Sequence, residues 1–139
     1  MIRTVLLACL SALAVAVAPL AAAAEEASAA ALRETARRAA AGEVDAEARI
    51  ACAQEAGEAL GACTARVARD AGGTATVIVT FPNGFARRLF FVEGRFSHAS
   101  ATMSGTGRRD LEAELRADGL HHLRVDDQRY RVPDRLLHP

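Results

Sequence analysis

Beyond residue 43, apolar and polar positions alternate along much of the chain, and that period sets the expected architecture. Val44, Ala46, Ala48, Ile50 and Cys52 interleave with Glu43, Asp45, Glu47 and Arg49. A period of two places one set on the buried face of a strand and the other in solvent. Gln54–Gly61, which holds Gly57 and Gly61, reads as a loop. Cys63, Ala65 and Val67 then point one way and Thr64 and Arg66 the other, and Asp70-Ala71-Gly72-Gly73 makes a turn. Thr74–Phe81 is the clearest strand, because valine, isoleucine and threonine suit a pleated, half-buried surface.

Phe81-Pro82-Asn83-Gly84-Phe85 fixes the next connection. Proline presets φ for the second position of a type I turn, asparagine tolerates the third, and Gly84 accepts positive φ. The expected loop has three residues and sets Phe81 opposite Phe85, Val79 opposite Arg87, Val77 opposite Leu89 and Ala75 opposite Phe91. A two-residue loop would pair odd with even positions and mix the faces, so register and hydrophobic pattern agree only for the longer one.

Glu93-Gly94 predicts a tight turn that brings Phe96 near Phe91. Ser104-Gly105-Thr106-Gly107 reads as a flexible loop. Leu111, Ala113, Leu115 and Ala117 alternate with Glu112, Glu114 and Arg116, and Asp118-Gly119 is a strong hairpin signal. Leu120–Val125, a turn at Asp126-Asp127 and Gln128–Val132 follow, and Pro133 ends the last strand because proline cannot donate to a ladder. The expected fold is all-β: a small antiparallel meander of six to eight strands, forming either a curved sheet or a small barrel.

The N-terminal part follows other rules. Arg3 precedes an apolar run, Val5–Val17, then helix-breaking Pro19 and the small residues Ala22-Ala23-Ala24. This is the pattern of a secretory signal over residues 1–24, cleaved before Glu25. An uncleaved anchor is the alternative, since roughly 20 apolar residues span a bilayer. Leu6-Leu7-Ala8-Cys9 superficially resembles a lipoprotein cleavage site, but the apolar run before Cys9 is too short. Residues 25–45 read as an alanine-rich helix or linker whose helical part, Glu25–Ala41, has Leu32 as its one large apolar residue and is expected to be frayed or a tether. The β-domain takes 46–139.

Composition narrows the functional classes. All 17 basic residues are arginine, and the formal charge is zero, so bulk electrostatics gives no case for nucleic acid or an anionic membrane. The membrane enters only through the signal peptide during export. After removal of the signal, Cys52 and Cys63 remain, and a pair in an oxidising compartment reads as a disulfide worth roughly 3 kcal/mol. Ten intervening residues suit neither a redox CxxC motif nor a zinc site.

Reactive constellations are weak. His121 and His122 are strand neighbours that face apart, and His98 and His138 have no ligand-spaced partner. Ser97 and His98 should also face apart, and Ser104 sits in a glycine loop without a following helix. Glu112 and Glu114 share what reads as a solvated face. No catalytic, cofactor or metal residue is assigned. Arginine supplies the remaining candidates: Arg87, Arg88 and Arg95 flank one hairpin and Arg129 and Arg131 another, as contacts for an anion or a protein partner.

The run from Cys52 to Leu137 resembles a group of small secreted proteins of alphaproteobacteria. The resemblance lies in Cys52-Ala53-Gln54, Cys63, Val67-Ala68-Arg69, Gly73–Val77, Phe81-Pro82-Asn83-Gly84 with Arg88, and the C-terminal Arg124–Asp134. This chain departs from the group's pattern at Asp127, Gln128 and Arg131. The resemblance implies export, the disulfide and a β-rich fold, and brings no catalytic residue. The expected function is therefore an exported, non-catalytic β-domain, periplasmic or secreted, that is a binding or envelope-associated protein of unknown ligand, with an envelope protein or an anionic glycan as the candidate partners. An inhibitor of a secreted hydrolase such as lysozyme and a small periplasmic hydrolase are the alternatives.

Overall fold

The computed structural model describes residues 18–101 and 110–139. Among them are one α-helix, α1 (Ala18–Ala40), and eight strands: β1 (Ala46–Ala53), β2 (Gly61–Arg69), β3 (Ala75–Thr80), β4 (Ala86–Val92), β5 (Arg95–Ala99), β6 (Leu111–Leu115), β7 (Leu120–Val125) and β8 (Gln128–Pro133). A 3-10 turn, Asp134–Leu136, follows. The strands form one antiparallel sheet in the order β5-β4-β3-β2-β1-β8-β7-β6, curled into a nearly closed barrel. Closure is incomplete between β5 and β6, the two ends of that order.

The β3–β4 hairpin has the register that the turn residues dictate. Val79 pairs with Arg87, Val77 with Leu89 and Ala75 with Phe91. The Gly84 N–H donates to the Phe81 carbonyl at 2.9 Å, and Gly84 takes φ +87°. A like turn ends β6, where the Gly119 N–H donates to the Arg116 carbonyl at 3.0 Å. Glu93 and Gly94 both take positive φ, the left-handed pair of a two-residue hairpin, and Phe91 faces Phe96 with ring centres 5.6 Å apart.

Alternation fills the interior. Ile50, Cys52, Cys63, Ala65, Val67, Val77, Val79, Leu89, Phe91, Leu123, Val125, Tyr130 and Val132 are buried together. The Cys52–Cys63 disulfide, with Cα atoms 5.9 Å apart, staples β1 to β2 at the base of the 54–60 loop. Leu136 and Leu137 are buried at the C-terminal end. There Arg69 Nη1 donates to the Leu136 carbonyl at 2.9 Å, and a side chain added at Gly73 would meet the His138 ring at 2.7 Å.

The alanine-rich segment forms the expected helix, but a docked one rather than a frayed helix or tether. It lies on the outer face of the sheet, in contact with β2, β3 and β4. Thr35 and Ala39 are buried, and Thr35 Oγ1 shares a 3.0 Å hydrogen bond with Thr76 Oγ1. Small residues let the helix approach closely, so docking needs no large apolar stripe. The helix end is tied down by Asp45: one carboxylate oxygen accepts from Arg38 Nη2 at 2.6 Å and the other from the Arg69 N–H at 2.8 Å. Both donors hold the Asp45 carboxyl below its ordinary range, the Arg38 hydrogen bond most. The expected signal segment lies outside the described residues up to residue 17; residues 18–24 continue into α1. Pro19, expected to break the helix, lies in its first described turn, where a missing N–H is tolerated. Among the described residues no helix is long and apolar enough to cross a membrane.

Two further departures concern the barrel's open side. β6 has the predicted alternation, yet all five residues are exposed, Leu111 and Leu115 included, because no described strand covers its inward face. The register between β4 and β5 shifts at Phe90/Phe91, a bulge that interrupts strict alternation in β5.

Candidate functional site

Strand parity sorts the five candidate arginines. Arg87 shares parity with Leu89 and Phe91, points into the barrel and is 2% exposed. It is therefore no surface contact for an anion or partner. Its Nη1 donates to Gln128 Oε1 at 2.8 Å, its Nε to the Ser100 carbonyl at 3.1 Å, and its Nη2 lies 3.4 Å from Asp126 Oδ2. Gln128 Oε1 also accepts from the Tyr130 hydroxyl, which burial pushes above the ordinary phenol range and so keeps neutral. The cluster ties β4 to β8 across the interior. The parity of Arg87 in the sequence was the signal for this role.

Arg129 and Arg131 have the opposite parity to Gln128, Tyr130 and Val132 and lie on the outer face of β8, half-buried. Their neighbours on β1 are Ala53 and Ala51, and Arg49, two residues from Ala51 on the same strand face, is exposed. Arginine side chains thus rise around a floor of alanines. Arg129 Nη2 donates to the Glu58 carbonyl, and Arg131 Nη1 to the Tyr130 carbonyl at 3.1 Å. Neither side chain has a carboxylate within ion-pair distance among the described residues. Burial, then the nearby Arg116 and Arg129, pull the Arg131 guanidinium below its ordinary value.

The acids nearby are already engaged. Glu112 accepts from Arg124 at 2.6 Å, Glu114 from Arg116 at 2.9 Å, and Asp118 from His122 at 2.8 Å. The His122 bond is the main cause of a lowered Asp118 carboxyl, with the Leu120 N–H next. Arg129 and Arg131, like Arg49, thus have no ion pair among the described residues, although the Glu58 carboxylate acts on Arg129 and Asp118 on Arg131 through space. Arg88 and Arg95 are exposed on β4 and β5, away from this pair in the strand order. The structure does not gather all the surface arginines into one site.

The reactive candidates stay separate. His121 points inward, buried, with Nε2 2.8 Å from Asp134 Oδ1, while His122 lies on the outer face. His138 Nε2 approaches the same Asp134 oxygen at 3.5 Å. Ser97 and His98 do not face apart as strict alternation requires: Ser97 Oγ lies 3.0 Å from His98 Nδ1, beside the bulge. The His98 ring is stacked on Phe90 at 4.5 Å. Ser104 lies outside the described residues. Among the described residues no three histidine, cysteine or acidic side chains are grouped to hold a metal ion.

No family model, curated protein or solved structure matches the chain.

Proposed function

We propose that the chain is a non-catalytic exported domain that binds an anionic component of the cell envelope through the outer arginine face of β1 and β8. The observation that carries this reading is the Arg129–Arg131 pair, two neighbouring guanidinium groups that form no ion pair among the described residues, beside a floor of alanines. Close like charges cost free energy in the free protein, and a bound anion removes that cost. Arginine suits the task because its planar fork can engage a carboxylate or phosphate with two hydrogen bonds. A signal-like segment over residues 1–24 and the Cys52–Cys63 disulfide support export to the periplasm or beyond.

The test uses protein starting at Glu25, with polygalacturonate and phosphatidylglycerol vesicles as anionic probes and dextran and phosphatidylcholine vesicles as neutral ones. Binding to at least one anionic probe is expected, falling as salt rises, because exposed charges are screened beyond about 8 Å at physiological ionic strength. Arg129→Glu/Arg131→Glu should weaken it at least about fivefold, the scale of two exposed ion-pair contacts, while Arg33→Glu on the helix leaves it unchanged. Binding indifferent to salt and to the double reversal overturns the assignment.

An inhibitor of a secreted hydrolase is the second reading. It is favoured by the 54–60 loop, whose residues 55–60 are all exposed and whose base is closed by the disulfide. Inhibition of lysozyme by the intact protein, lost with Leu60→Asp but kept in the arginine double variant, would select it.

A further inference from the structure

The open side of the barrel holds a cleft of about 300 Å³, lined by Gly94, Arg95 and Phe96 from one edge and Ala113, Glu114, Leu115 and His121 from the other. We propose that this seam binds one anionic amphiphile: a short unbranched acyl chain lies along Phe96, Ala113 and Leu115, and its carboxylate head meets Arg95.

Three observations carry the assignment. First, no described element covers the apolar, inward face of β6, where Leu115 in the cleft is 53% exposed and Leu111, further along the strand, 41%. Burying such side chains is worth roughly 25 cal/mol per Å² of apolar surface, so an apolar occupant is favoured. Second, the charges select its head group. Arg95 is exposed at the mouth and forms no ion pair among the described residues. The other ionisable groups of the lining are committed: Glu114 to Arg116 at 2.9 Å and His121 to Asp134 at 2.8 Å. The unmatched charge is positive, which calls for an anion.

Third, the strand edges argue against a peptide strand. Each edge strand has five residues, β5 carries the bulge, and β6 bears Glu112 and Glu114. Short, charged and bulged edges are those that natural sheets use to discourage strand addition. A second copy pairing β6 with β6 antiparallel about Ala113 would set Glu112 opposite Glu114, like charges across the pair. An acyl chain needs no backbone partner and fills the gap without either conflict. This site uses none of Arg49, Arg129 and Arg131, so it stands or falls separately from the arginine face.

The experiment titrates the protein starting at Glu25 with hexanoate, octanoate and decanoate below micelle formation, followed by NMR shifts of Phe96, Ala113 and Leu115. Decyltrimethylammonium is the head-group control. Affinity should rise with chain length by up to about fourfold per methylene, the equivalent of 0.8 kcal/mol for a fully buried one. Arg95→Gln should weaken decanoate about three- to tenfold, and Arg135→Gln should leave it unchanged. Leu115→Glu should abolish binding, and a circular dichroism spectrum matching wild type would show that the fold survives. Equal affinity for the cationic amphiphile, no dependence on chain length, or indifference to Arg95→Gln would overturn the proposal. So would protection of the β5 and β6 edge amides from exchange on decanoate binding, the mark of strand pairing across the seam.

Discussion

The buried Arg87 gives the sharpest test of how the interior is held. The guanidinium is 2% exposed and spends donors on Gln128, the Ser100 carbonyl and Asp126. Gln128→Leu removes its shortest acceptor and leaves a buried cation short of a partner, at a cost of about 3 kcal/mol. Arg87→Met removes the charge but keeps much of the apolar stem. Gln128 Oε1 still accepts from Tyr130, and Asp126, 43% exposed, turns to water; the chief loss is the bond to the Ser100 carbonyl, worth about 1 kcal/mol. Adding Arg87→Met to Gln128→Leu removes the stranded charge, so the double variant should be more stable than Gln128→Leu alone. Urea denaturation of the disulfide-intact protein measures all three, and 1 kcal/mol corresponds to about 4 °C in Tm for a domain of this size. Additive costs, or Arg87→Met as the most damaging change, would show that the cation itself stabilises the barrel and refute the reasoning.

Three further expectations follow from the same structure. Cys52→Ala/Cys63→Ala should lower stability by roughly 3 kcal/mol by releasing the closed loop, and unreduced protein starting at Glu25, which lacks Cys9, should show no alkylatable thiol by mass spectrometry. Gly84→Val should cost about 1–3 kcal/mol from backbone strain alone: φ is +87° and no atom lies within 4 Å of an added Cβ, so Gly84→Asn, which tolerates positive φ, should recover most of the loss in denaturant midpoint. The Asp45 carboxyl titrates lower in the folded chain than its ordinary 3.8, so its stabilising contribution is present above that value and is lost as pH falls through the lower folded one. The stability gap between wild type and Asp45→Asn should therefore narrow below about pH 3.8, with α1 amides the first to lose exchange protection.

Much of the sheet was legible because two independent signals agreed. Turn chemistry at Pro82-Asn83-Gly84 and the period-two pattern on either side demand the same register, and the pairs Val79–Arg87 and Ala75–Phe91 follow. The site was less legible. Charge alone put Arg87 with Arg88 as a surface contact, although Arg87 lies on the apolar parity of its strand. The interior partner that makes a buried arginine tolerable, Gln128, is 41 residues away, and no local pattern announces it. Ser97 and His98 meet because of a bulge, an extra residue that strict alternation leaves out of account.

Both the helix and β6 are present as the sequence predicts, but the docking of the one and the exposure of the other were illegible for a common physical reason. Both arguments equate burial with large apolar side chains at the right spacing. In α1 the seat is made by Thr35 and Ala39 against Thr76, where closeness of approach replaces side-chain volume. In β6 the leucines have the right spacing and direction, but burial also requires something opposite them, and β5 stops short of closing the barrel. Periodicity gives the direction a side chain points; whether that direction is filled depends on elements distant in sequence. An alternating strand whose apolar face stays open is thus the point at which a local rule holds while its usual consequence fails, and such points are candidates for a ligand. That is why the β5–β6 seam, rather than the well-packed β3–β4 hairpin, is the part of the barrel to probe with a small molecule.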